Sequence, residues 1–164
     1  MEPFIEVNLV GLIMDQVSKS PVMVLKALSE KKVIPIWIGM TEANAIAMEL
    51  ENVCSPRPMT HDLLKNIMGN LEAILSRVII TDIVENTYYA ELHIEKDGEE
   101  RIIDCRPSDA VALALKNRSK IFVSKQVLET SVLSDVYSNF LNGGERIDQW
   151  FDSLAADDFG EIEQ

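Results

Sequence analysis

The sequence predicts an α+β domain: a mixed or antiparallel sheet with helices packed against it, followed by a helical hairpin. Three observations carry this. Apolar, β-branched runs alternate with turn chemistry over the first 124 residues. Three amphipathic stretches with helical spacing interrupt those runs. The last forty residues lose the strand pattern and carry two further helical stripes. A hydrophobic fraction of 47% supplies a core without disulfides or metal staples. At about 150 residues per domain, 164 residues make one main domain, placed at residues 1–130, with residues 131–164 as hairpin and acidic tail.

Residues 4–14 read as a strand, and Ser18-Lys19-Ser20-Pro21 as a turn. Residues 21–28 and 33–38 flank the polar loop Ser29-Glu30-Lys31-Lys32 and predict a hairpin. Ala43, Ile46, Ala47, Leu50 and Val53 predict a helix over 41–53, with Thr41 as its N-cap and Pro56 beyond its end. Leu63, Leu64, Ile67, Met68, Leu71, Ile74 and Leu75 place a second helix over 60–75. A strand follows from Arg77 to Val84, then the turn Glu85-Asn86. The alternating strand Tyr88 to Glu95, the turn Asp97-Gly98 and the strand Glu100 to Cys105 make a second hairpin. A third helix spans 107–118, and Ile121-Phe122-Val123 is a short strand. Val132, Leu133, Val136, Phe140 and Leu141, then Ile147, Trp150, Phe151 and Leu154, mark the C-terminal hairpin.

Fifteen basic and 27 acidic residues give a net charge of −12, which excludes a protein that grips nucleic acid by charge alone. Cys54 and Cys105 stand far apart with no CxxC, as in a reducing compartment, and read as small core residues. No signal peptide is visible at Met1-Glu2-Pro3-Phe4, and no apolar run approaches the ~20 residues of a membrane span. A cytoplasmic location is expected.

One short pattern recurs. Arg57-Pro58-Met59-Thr60-His61-Asp62 and Arg106-Pro107-Ser108-Asp109 each set Arg-Pro, a hydroxyl and an aspartate at a helix start. Unpaired N–H groups and a partial positive charge make such an end an anion site, and an arginine adds a phosphate fork. If the fold joins the two starts, Arg57, Arg106, Thr60 and Ser108 form a phosphate clamp. Ordinary capping by Thr60 and Ser108, with Asp62 and Asp109 on the helix dipole, explains the same residues. Glu42 and Glu49, seven apart, share a flank of their helix, while Asp82 and Asp104 sit near strand ends. Converging carboxylates can hold Mg²⁺ or Mn²⁺, yet solvated acids are also expected among 27. His61 is either a general base or an unremarkable first-turn residue. No GxGxxG, Walker loop, GxSxG or HExxH is present.

The runs Ile34-Pro35-Ile36-Trp37-Ile38-Gly39, Glu42-Ala43, the Arg57 to Leu64 segment, Arg77 to Asp82, Tyr88-Tyr89-Ala90 and Asp104 to Ala110 resemble the bifunctional nuclease domain family over roughly residues 5–130. That resemblance implies a family-specific α+β fold, a homodimer, a stand-alone bacterial member, and nuclease activity on both DNA and RNA. Some bacterial members carry a C-terminal segment like the interaction motif of excision-repair proteins. Residues 131–155 occupy that position without a firm motif match.

Taken together, the expected activity is metal-dependent phosphodiester hydrolysis. His61, Asp62 and Asp109 would be catalytic. Arg57, Arg106, Thr60 and Ser108 would hold phosphate. Glu42, Asp82 and Asp104 would bind Mg²⁺ or Mn²⁺, with Asp62 and Asp109 as further ligands. The competing reading is a non-catalytic dimeric module binding an anion or a protein partner, with the C-terminal helices as docking element. A third is a purely architectural salt-bridge network of Arg57, Asp62, Arg106 and Asp109.

Overall fold

The computed structural model describes residues 3–30 and 32–131. Seven strands form one mixed sheet: β1 (Phe4–Met14), β2 (Pro21–Ala27), β3 (Val33–Trp37), β4 (Ile74–Val84), β5 (Thr87–Lys96), β6 (Glu99–Cys105) and β7 (Lys120–Ser124), in the order β3-β2-β1-β7-β4-β5-β6. All pairings are antiparallel except β4 with β7. The helices are α1 (Met40–Leu50), α2 (Thr60–Asn70), α3 (Pro107–Asn117) and α4 (Lys125–Ser131). The α+β expectation holds; the C-terminal hairpin and acidic tail lie outside the described residues.

The sheet is strongly curled. Tyr88 Oη on β5 donates to the Pro35 carbonyl on β3 at 3.3 Å, although four strands separate them in the sheet. Five steps of ~4.8 Å would hold them far apart in a flat sheet. One face lines the main core, where Val7, Met23, Leu25, Ile34, Val78, Ile80, Ala90, Val111 and Leu128 are buried together. Alternation puts the strand residues among these on one side of the sheet, and Val111 of α3 and Leu128 of α4 pack against them. α3 is almost wholly buried from Ala110 to Ala114, and its small side chains let it approach β4 and β5 closely.

Local chemistry moves several boundaries. The second helix stops at Asn70 rather than 75. Glu72 takes a left-handed φ of 54°, and Ile74 and Leu75 open β4 instead. The first helix ends at Leu50, where Asn52 turns left-handed at φ 54°. The N-caps are Gly39, Met59 and Arg106, not Thr41, Thr60 and Ser108, which lie within the first turns. α4 is absent from the sequence reading. Ser124 Oγ accepts the Val127 N–H at 3.1 Å, so a Ser cap was its available signal. Cys54 is exposed rather than buried, whereas Cys105 packs against the core. The predicted turns hold: Glu85, Asn86, Asp97 and Gly98 all have positive φ, as tight hairpins require.

Candidate functional site

The two Arg-Pro helix starts meet. His61 in the first turn of α2 and Asp109 in the first turn of α3 are joined by an Nε2–Oδ1 hydrogen bond of 2.9 Å. Arg106 caps α3 and reaches Asp109 through Nε at 2.8 Å and Nη2 at 3.3 Å, and Glu42 on α1 through Nη1 at 2.7 Å. Glu42 therefore lies within one ion-pair chain with His61. Its carboxylate folds back over Gly39, where any side chain would collide with it.

A second cation repeats the arrangement at the other end of α3. Lys116 Nζ bonds Glu49 on α1 at 2.8 Å and Asp62 on α2 at 2.6 Å. Lys65 Nζ in turn donates to the Lys116 carbonyl at 2.7 Å. Asp62 also accepts the Met59 N–H at 2.9 Å, satisfying one orphan donor of α2. Lys116 thus ties α1 and α2 to α3 directly, whereas Arg106 ties α1 to α3 and reaches α2 only through the Asp109–His61 bond. Glu49 entered the sequence reading only as a flank residue and Lys116 not at all. Its signal is position: a lysine in the last turn of a helix whose first turn carries the motif.

Electrostatics follow from these contacts. The Lys116 ammonium, then the Met59 N–H, hold Asp62 below the usual carboxylate range. Burial works against the Asp109 carboxylate, but hydrogen bonds from Arg106 and His61 outweigh it and lower its pKa. Burial likewise opposes the Lys116 charge, and the two carboxylates overcome it and raise its pKa. An ionised Asp109 only accepts hydrogen bonds, so His61 Nε2 carries the proton of that bond. His61 is only 9% exposed.

These groups line a cavity of about 600 Å³ between α1, α2, α3 and the 51–59 connection. Met48, Val53, Pro58 and Met59 give it an apolar wall; Thr60, Cys54 and the two ion-pair groups complete it. A smaller cavity of about 300 Å³ lies on the other side of Glu42 and Arg106 and includes Ser108. Arg57 is exposed and lines neither cavity, although its neighbours Pro56 and Pro58 line the larger. Asp82 accepts its neighbour's Ile83 N–H at 2.8 Å and lies by Gln126 of α4; Asp104 sits opposite Glu91 on the exposed edge strand β6. Neither lines either of these two cavities.

Glu42, Asp82 and Asp104 therefore do not converge as a donor set for Mg²⁺ or Mn²⁺. Among the described residues, no group of three or more His, Cys, Asp or Glu side chains can hold a metal ion. The carboxylates that do converge are engaged by Arg106 and Lys116. The residues present do not fit the ion in this arrangement.

Fold and site together define an α+β protein whose two motif-bearing helix starts share one ion-paired cavity. The model of the Bifunctional nuclease domain matches residues 23–135, and the chain belongs to that family. The chain is 36% identical over 162 residues to "Uncharacterized protein MT1877" of Mycobacterium tuberculosis (strain CDC 1551 / Oshkosh), covering 94% of this chain and 97% of that protein. It is 28% identical over 97 residues to "Bifunctional nuclease 1" of Oryza sativa subsp. indica, covering 57% of this chain and 29% of the rice protein. Similarity to "Bifunctional nuclease 2" of Arabidopsis thaliana is 27% over 95 residues, 56% of this chain and 29% of that one. Among the described residues, no helix is long and apolar enough to cross a membrane.

Proposed function

We propose that the chain hydrolyses phosphodiester bonds of DNA and RNA at the His61–Asp109–Arg106 cluster. The observation that carries this is the joining of the two motif-bearing helix starts at one cavity in a member of a nuclease family. In this reading His61 Nδ1 takes the proton of an attacking water as its oxygen bonds phosphorus and one P–O ester bond breaks; the leaving sugar oxygen takes a proton from solvent, and Asp109 fixes the ring and stabilises the imidazolium. Arg106 has five N–H bonds, of which three are engaged. The remaining two, on a side chain that is 64% exposed, face the phosphate and its developing charge. Asp62 anchors Lys116 and the α2 start rather than touching substrate. The hydrolysis assay is run with Mg²⁺, with Mn²⁺ and with EDTA.

The test is hydrolysis of single-stranded DNA and RNA by purified chain and by His61→Gln prepared identically. Loss of a general base lowers kcat by about 10²–10⁴-fold. Equal activity in both preparations refutes the assignment.

One observation favours a second reading. The larger cavity carries four carboxylates against two cations, and each cation is already paired to two of its own acids. A clamp that binds without turnover fits this. Oligonucleotide binding by wild type with no hydrolysis under any cation selects it. The homodimer belongs to either reading: Leu63, Leu64, Ile67 and Leu71 leave the apolar face of α2 exposed, as a subunit contact requires. The same proposal places the chain in the cytoplasm and gives residues 131–164 the role of docking a protein partner.

A further inference from the structure

We propose that the two cavities accept the two nucleosides flanking one phosphodiester of an unpaired strand, with Trp37 as the stacking platform for one base; the substrate class rests on the nuclease reading. The Glu42–Arg106 pair forms the wall shared by both cavities. A phosphate on the free N–H groups of Arg106 therefore has one compartment on each side. The smaller compartment has the chemistry of a base site. The Trp37 indole lines it and is 43% exposed. Its Nε1 donates to Asp15 Oδ2 at 3.0 Å, and Asp15 is itself held by Ser18 Oγ at 2.7 Å and the Val17 N–H at 3.1 Å. The ring is thus fixed before any ligand arrives, which lowers the entropic cost of stacking.

Asn86 stands at the rim, in a left-handed turn, and its side-chain amide has no hydrogen bond among the described residues. An amide offers both a donor and an acceptor to a base edge. The larger compartment presents Met48, Val53, Pro58 and Met59 as an apolar wall for a base face, with Thr41, Asn44 and Thr60 among its polar lining. Bases held in a duplex cannot part into two compartments, and a chain of net charge −12 has no means of gripping duplex backbone. Recognition through two bases and one phosphate suits a protein with this charge.

The experiment uses the full chain carrying Trp150→Phe, which leaves Trp37 as the sole tryptophan. Dithymidine with a phosphorothioate linkage is titrated by fluorescence and calorimetry, against thymidine monophosphate, inorganic phosphate and a DNA duplex. Expected are saturable quenching of Trp37, its protection from acrylamide, and dinucleotide binding about tenfold or more tighter than the monophosphate. Trp37→Leu weakens dinucleotide binding by a similar factor, and Trp37→Phe, which keeps an aromatic face but loses the Nε1–Asp15 bond, recovers part of it. Should Trp37→Leu fail to fold, the acrylamide measurement on the Trp150→Phe chain decides alone. No calorimetric binding, binding with unaltered Trp37 emission and accessibility, or equal affinity for duplex overturns the proposal. Hydrolysis of long single strands is scored separately. Turnover without any Trp37 effect sinks the two-compartment inference and leaves the nuclease reading standing. Quenching without turnover does the reverse.

Discussion

At the level of single residues, the site depends on side chains held by neighbours that do no chemistry. Gly39 is one. A methyl group there meets the Glu42 carboxylate, which Arg106 prevents from swinging freely away. Gly39→Ala should therefore cost about as much as Glu42→Gln, roughly 0.5–1 kcal/mol for an exposed ion pair. The double variant should cost little more than either alone, because both remove one interaction. Urea denaturation of the three variants measures this, and full additivity contradicts it. The cysteines differ as sharply. Burial, reinforced by the charges of Asp109, Asp104 and Glu91, pushes the Cys105 thiol up to about 12. Cys54 is exposed. At pH 8 a thiol reagent should modify Cys54 at once and Cys105 only on unfolding; two fast equivalents would refute this.

Among the elements, α3 is the one that organises the site. Its last-turn lysine joins α1 to α2, and its capping arginine joins α1 to Asp109, which holds His61 of α2, so the pH dependence of stability has a definite sign. Asp62 and Asp109 have folded pKa values below their unfolded ones. Their contribution is complete above the unfolded carboxylate range of about 4 and fades as pH falls through the folded values. Lys116 is raised, so its contribution is complete below the unfolded lysine value of about 10.4 and fades as pH climbs through the folded one. Chemical denaturation should show a plateau between about pH 5 and 10, and Lys116→Met should flatten both limbs. Unchanged limbs in that variant would exclude the clamp. Much of this was legible in the chain. The strand pattern, the tight turns and the recurring helix starts are local signals, and they survive folding. Glu42 and Glu49 both face α3, as helical spacing requires. Partners distant in sequence were not legible: Lys116 meets Asp62 only because α2 and α3 pack together. Nor does periodicity reveal what covers a stripe. The apolar run of α2 reads as a core face, yet Leu63, Ile67 and Leu71 are exposed because α2 rests mainly on α3.

For the whole molecule, charge and exposed surface set the expectations. A polyanion approaching a chain of net charge −12 meets repulsion, which salt screens. Raising NaCl from about 0.02 to 0.15 M should leave kcat/KM on single strands level or raise it, opposite to the fall seen when many phosphates are contacted. A steep decline would point to a basic surface that the described residues do not show. The α2 face makes its own prediction at this scale. Ile67→Lys should dissociate a dimer read by light scattering while leaving the fold intact. A wild-type chain already monomeric at micromolar concentration removes that contact.

The Tyr88–Pro35 tie has a mechanical consequence. It works as a clasp between outlying strands, and the lesser compartment sits beside that clasp while the roomier one is braced by helices. Hydrostatic pressure or a Tyr88→Phe exchange would thus loosen the Trp37 side first, leaving the helical side in place, so one half of the paired receptacle can be slackened without unfastening the other.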